Sequence, residues 1–480
     1  MGKLGSLAKD TAIYGLSSIV GRFLNYLLVP LYTAKLAAAS GGYGVITEVY
    51  SYVALLLVLL TFGMETTFFR FVNKEGENPK QVYANTLIAV GGVALLFAVA
   101  VLALIGPISG AMGYAEHPEF IGMMAVCVAI DAFQCVPFAY LRYQRRPIKF
   151  AALKLLFIVM NIALNVLFFV VLDRADVFYA FAINLACTAS ITFLFLPELT
   201  AVKWRLNRPL LRRMLKYSWP ILVLGIAGIL NQTVDKMIFP HLVGGHEGKV
   251  QLGIYGACVK IAMIMAMITQ AFRYAYEPFV FAGEKSRDSR ETYAKAMKYF
   301  IIFTLLAFLM VMGYIDVLKH IIAPGYWEGL KVVPIVMAAE IMMGVYFNLS
   351  FWYKLIDKTI WGAWFSGAGC LTLIAVNVIF IPHYGYMACA WAGVAGYGTA
   401  MVLSYVVGQR HYPIAYPLKS IAAYVVLAAV AYTAMALLPQ DWPTAARLGI
   451  NTVIIALFIG YIVKKDLPLS GLPVVGKYFR

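Results

Sequence analysis

Charge is what this sequence has least of. Only 13% of its 480 residues are charged, whereas 62% are hydrophobic; soluble chains carry about 25% charged and about 45–50% apolar residues. The mean hydropathy of +0.80 points the same way. Cysteine is scarce as well. Cys127, Cys135, Cys187, Cys258, Cys370 and Cys389 all fall in apolar stretches and none forms a CxxC pair. No zinc site or redox motif is therefore indicated, and the thiols read as small buried apolar groups. The chain also lacks a nucleophile–base constellation, a metal-ligand cluster and a phosphate-binding glycine loop. Every segment between apolar runs is under about 20 residues, which leaves no room for a soluble catalytic or ATP-hydrolysing domain. The alternation of an outer-membrane barrel strand is absent too.

Long apolar runs are what the chain has. A helical span needs about 20 apolar residues, and a window of about that length finds fourteen: 10–36, 45–71, 82–107, 119–141, 150–172, 177–199, 214–240, 251–281, 297–318, 332–355, 359–381, 385–408, 417–438 and 445–463. The first run is too long for a signal-peptide core and is interrupted by Arg22 and Asn25, so it is expected to be an uncleaved span. Prolines 30, 137, 220, 240, 278 and 334 lie in or near spans and read as kinks or hinges.

The formal charge of +16 would suggest nucleic acid in a soluble protein. Here position matters more than sum. About 29 of the 39 basic residues fall on one set of alternate loops, for instance Arg142, Arg145, Arg146 and Lys149, and about six on the other, among them Lys35, Arg174 and Lys249. That asymmetry is the positive-inside pattern. It predicts cytoplasmic N- and C-termini, and the nucleic-acid reading falls away.

An internal repeat is visible. In the first half Pro30, Tyr43-Gly44 and Glu65 follow one another; in the second, Pro240, Tyr255-Gly256 and Glu277 do the same. Tyr43 to Glu65 and Tyr255 to Glu277 are both 22 residues. The repeat predicts an all-α polytopic protein of two pseudo-symmetric six-helix lobes, 1–206 and 207–411, with two further helices and a tail over 412–480.

Tyr14-Gly15-Leu16-Ser17-Ser18, Arg22, Pro30, Leu31-Tyr32, Gly42-Tyr43-Gly44 and Phe62-Gly63-Met64-Glu65 together resemble the start of bacterial polysaccharide flippases. These form the Wzx-type polysaccharide-transporter branch of the multidrug/oligosaccharidyl-lipid/polysaccharide exporter superfamily. The sharper match covers roughly the first 75 residues; the fourteen spans in a 6+6+2 layout extend it over the chain. The resemblance implies two bundles around a V-shaped central cavity, alternating access, and translocation of a lipid-linked oligosaccharide across a bacterial inner membrane, with glycan polymerases as possible partners. It implies no enzyme activity.

Ionisable groups inside the spans cost about 2.5–3.5 kcal/mol each on insertion scales, so they are expected to face a cavity or one another. Arg22, Lys236, Lys260 and Arg273, with Asn25 one turn from Arg22, form the expected cationic substrate-binding set. Guanidinium groups there suit the diphosphate of a polyprenyl carrier and suit a cationic drug badly. Asp131, Asp235, Glu277 and Glu340 are the expected coupling groups or charge partners; a buried carboxylate can trade a proton, and H+ or Na+ is the expected coupling ion. Asp235 and Lys236, being adjacent, are expected to point apart, and Glu65 is expected to snorkel to the surface. Asn161 and Asn165, at i, i+4, read as interhelical hydrogen-bonding groups. A lipid II flippase of the same superfamily is the second reading, and a multidrug extruder the third.

Overall fold

A computed structural model describes residues 26–282, 289–356, 358–439 and 441–466, with the side chains of 274–282 and 289 left out. Among the described residues the chain is all helix, without strands. It divides into two compact units, 1–256 and 257–480.

The first unit holds α1 (Leu28–Lys35), α2 (Gly42–Thr61), α3 (Met64–Val72), α4 (Pro79–Ala103), α5 (Ile105–Ala111), α6 (Pro118–Tyr143), α7 (Pro147–Val166), α8 (Val177–Phe193), α9 (Leu196–Thr200) and α10 (Arg208–Val243). The helix α11 (Gly245–Ala282) begins in it. Helix starts follow local chemistry. Proline stands in the first turn of α4, α6 and α7, where its missing N–H costs nothing. The Asn78, Asp176 and Asn207 side chains accept hydrogen bonds from the backbone N–H groups of Lys80, Phe178 and Leu210, each satisfying an orphan donor. The core of this unit is an apolar cluster on α3, α4 and α6, with Met64, Phe68, Tyr83, Leu87, Val128 and Val136 fully or nearly fully buried.

The second unit holds the rest of α11, then α12 (Ser289–Gly313), α13 (Val333–Leu349), α14 (Ile360–Tyr384), α15 (Tyr386–His411), α16 (Leu418–Ala436) and α17 (Thr444–Lys465). Phe300, Leu309, Tyr424 and Phe458 join α12, α16 and α17 in one core cluster. Ion pairs fasten these helices at both ends. Lys298 on α12 pairs with Asp466, which also accepts from Tyr424 Oη at 2.5 Å. At the other end Arg447 on α17 reaches Asp316, just beyond α12, at 2.7 Å.

Twelve helical segments among the described residues are long and apolar enough to cross a membrane, which makes this a multi-pass membrane protein. The sixth expected span is a shorter apolar helix, α8, and the first lies mostly outside the described residues. The second span is not one straight helix. Phe62 and Gly63 adopt φ of 34° and 72°, and this left-handed pair separates α2 from α3.

Candidate functional site

Two polar clusters lie inside the apolar first unit. The first forms where three helices each present polar groups at helical spacing: Cys127, Asp131 and Gln134 on α6, Asn161 and Asn165 on α7, and Asn184, Thr188 and Thr192 on α8. Thr188 Oγ1 donates to Asp131 Oδ1 at 3.3 Å, and Cys127 Sγ lies 3.9 Å from Asp131 Oδ2. The chain of contacts runs on through Asn184 Nδ2 to Cys127 Sγ (3.4 Å), Asn161 Nδ2 to Asn184 Oδ1 (3.3 Å), Asn165 Nδ2 to Asn161 Oδ1 (3.1 Å) and Tyr32 Oη to Asn165 Oδ1 (2.7 Å). Asp131 forms no ion pair among the described residues; Lys154, whose ammonium stands 4.0 Å from the Phe138 ring centre, acts on it electrostatically. A buried carboxylate held by a hydroxyl and a thiol, with amides beyond the thiol, is suited to trading a proton. Asn161 and Asn165, read as interhelical groups, do bridge helices, and they also join this network.

The second cluster is carried by α2, α10 and the start of α11. Lys236 Nζ lies 2.9 Å from Asp235 Oδ2 and 3.0 Å from the Gln232 carbonyl, and Tyr255 Oη donates to the same Asp235 oxygen at 2.9 Å. This corrects the expectation that the adjacent pair points apart: the flexible lysine stem bends back, so Asp235 neutralises Lys236. Also on α2, Glu48 is 1% exposed and accepts from Tyr114 Oη, in the turn before α6, at 2.5 Å. Burial and the adjoining carboxylate push the Tyr114 hydroxyl well above its ordinary range, so it stays a donor. Lys249 lies 4.2 Å from the Tyr114 ring centre. Here α2 and α11 touch backbone to backbone, and a Cβ on Gly44 would stand 1.8 Å from the Lys249 carbonyl oxygen.

Of the other expected site residues, Arg22, Asn25 and the Glu277 side chain lie outside the described residues. Lys260, Arg273 and Glu340 are half-buried in the second unit. The Arg273 guanidinium lies 4.8 Å from the Phe347 ring centre and lines a narrow aromatic recess with Phe272, Phe300 and Lys354. The Glu65 side chain is 45% exposed and forms an ion pair with Arg142 of α6, one of the basic-loop arginines. Glu48 escaped sequence reasoning. Its signal was the repeat itself: it follows Tyr43 by five residues, as Lys260 follows Tyr255.

A family described as polysaccharide biosynthesis protein matches residues 40–324, more than half of the chain. The chain belongs to this polysaccharide biosynthesis family. Its fold resembles a lipid II flippase, MurJ, in an inward closed conformation, with a TM-score of 0.71 and 13% identity over 94% of this chain and 98% of that one. It also resembles a multidrug resistance MATE family transporter of the MOP superfamily in an inward-facing conformation (TM-score 0.63, 16% identity, 84% of this chain and 97% of that one). A complex of the MATE multidrug transporter DinF-BH follows at 0.61 and 17% identity, over 83% and 95%. No curated protein matches in sequence. The fold is thus the all-helical membrane fold seen in MurJ and the MATE transporters.

Proposed function

We propose that this polysaccharide-family protein flips a polyprenyl-diphosphate-linked oligosaccharide, the repeat unit of an O-antigen, capsule or exopolysaccharide, from the cytoplasmic to the outer leaflet of a bacterial inner membrane. The observation that carries the reading is the family match over residues 40–324. The charge asymmetry of the loops supports cytoplasmic termini.

In this reading Arg22, Lys260 and Arg273 hold the diphosphate, the lipid tail stays in the bilayer, and alternating access carries the glycan across. Lys236 contributes less charge than its sequence position implies, since Asp235 neutralises it. Asp131 is the coupling group: H+ or Na+ on its carboxylate, beside the Thr188 hydroxyl and the Cys127 thiol, removes a buried charge and releases the α6–α8 contacts for movement. Glycan polymerases are the expected partners on the outer side.

The test is a deletion strain. Extraction of its polyprenyl-linked glycans should show a complete repeat unit accumulating while surface polysaccharide is lost. Normal glycan pools with new sensitivity to cationic dyes would overturn the reading in favour of multidrug export. Failure to obtain the deletion would move the lipid II reading forward, which the likeness to MurJ over 94% of this chain favours.

A further inference from the structure

A cavity of about 440 Å³ opens in the first unit beside the second polar cluster, at the end of α2 and α10 opposite the basic loops. Glu48, Met112, His241, His246 and Lys249 line it. Its size lies within the range of small-molecule sites, which pair a concave wall with a few convergent polar groups.

Three features define what the wall would take. Glu48 is almost wholly buried, and while Oε2 accepts from Tyr114, Oε1 has no hydrogen-bond partner. A buried acceptor left without a partner is destabilising, and a donor from a ligand would relieve it. The lining is also nearly balanced in charge, with Glu48 against Lys249 and two imidazoles whose nitrogens already lie near backbone carbonyls: His241 Nδ1 3.1 Å from Met237, His246 Nε2 2.8 Å from Ala39. Such a wall favours neither a diphosphate nor an organic cation. Finally, Gly110, Gly113 and Gly245 contribute bare backbone, with open space where a Cβ would stand, so no side chain at these positions keeps a ligand off the wall.

We propose that this cavity is a sugar subsite, in which Glu48 Oε1 accepts a hydroxyl of an uncharged glycan unit and His246 and Lys249 bound the rim. It rests on the flippase reading and deepens it, since it places sugar contacts at the end opposite the basic loops, away from the cationic groups assigned to the diphosphate.

The test uses the full chain in lipid nanodiscs and saturation-transfer NMR with free lactose and chitobiose as probes. The wild type should transfer saturation to the ring protons of at least one of them. Glu48→Gln, which removes the charged acceptor, should weaken that signal at least tenfold. Gly110→Trp, whose side chain enters open space, should abolish it without lowering thermal stability, so a folding defect in one variant leaves the other to decide. No transfer in the wild type, or transfer unchanged in both variants, overturns the subsite. If the sugars fail to bind while repeat units still accumulate in the deletion strain, the subsite falls and the flippase reading stands. If the glycan pools are normal, the flippase reading falls, and the subsite falls with it.

Discussion

At the scale of single residues, chemistry was legible where a charge interrupts an apolar run and hidden where its neighbours are neutral. Asp131 stands out in the sequence for that reason, but Asn184 and Thr188 do not, because amides and hydroxyls at helical spacing are ordinary helix–helix hydrogen-bonding groups. Only packing brings Thr188 to that carboxylate and Asn184 to the thiol beside it. The Asp235–Lys236 pair was misread because adjacency fixes Cβ directions and says nothing about where a four-carbon stem bends. If Asp131 is the coupling group, Asp131→Asn should reach the membrane at wild-type level yet lose most glycan export, and residual export should no longer respond to collapse of the proton or sodium gradient. Full export in that variant would remove Asp131 from the cycle. Asp466 gives a second test, of stability. Burial opposes its ionisation, but the hydrogen bonds from Lys298 and Tyr424 and the charges of Lys298 and Lys465 outweigh it, and hold the carboxyl below its ordinary value. Its contribution is therefore complete above about pH 4, the unfolded value, and fades as pH falls through the lower folded value. Thermal melts of wild type and Asp466→Asn should differ above that pH and converge below it.

At the scale of elements, the number and placement of apolar runs were readable because run length is a one-dimensional signal. The break between α2 and α3 was not, since it arises from the left-handed pair Phe62–Gly63, and Phe62 carries no turn signature. Nor was the role of Gly44 visible. Tyr-Gly served as a repeat marker, whereas the structure uses the missing Cβ to let α2 meet the Lys249 carbonyl of α11. Gly44→Ala should therefore destabilise the protein by at least the roughly 1–3 kcal/mol usual for overpacking, since backbone cannot step aside as a side chain can. The measurement is the thermal midpoint of the purified variant. An unchanged midpoint would mean that this approach of α2 and α11 carries no packing energy.

At the scale of the whole molecule, composition and loop charge announced a multi-pass membrane protein. The resemblance of the opening segment pointed to the superfamily whose fold the chain has and to the polysaccharide family to which it belongs. The cargo was not legible, because sugar specificity resides in the shape of a cavity that no local pattern encodes. The diphosphate assignment is tested by Lys260→Ala and Arg273→Ala. Each should lower export at least tenfold while the protein reaches the membrane, and full export would clear that residue of the role. Flipping is the central claim, and it is measured most directly in proteoliposomes. The purified chain is reconstituted with lipid-linked glycan extracted from the deletion strain, and the glycan exposed to membrane-impermeant periodate is followed over time. The account predicts that oxidation passes beyond the outer-leaflet share and consumes the whole pool when the protein is present. Oxidation that stops at the share reached in protein-free vesicles, in a preparation that moves a cationic dye, would contradict it.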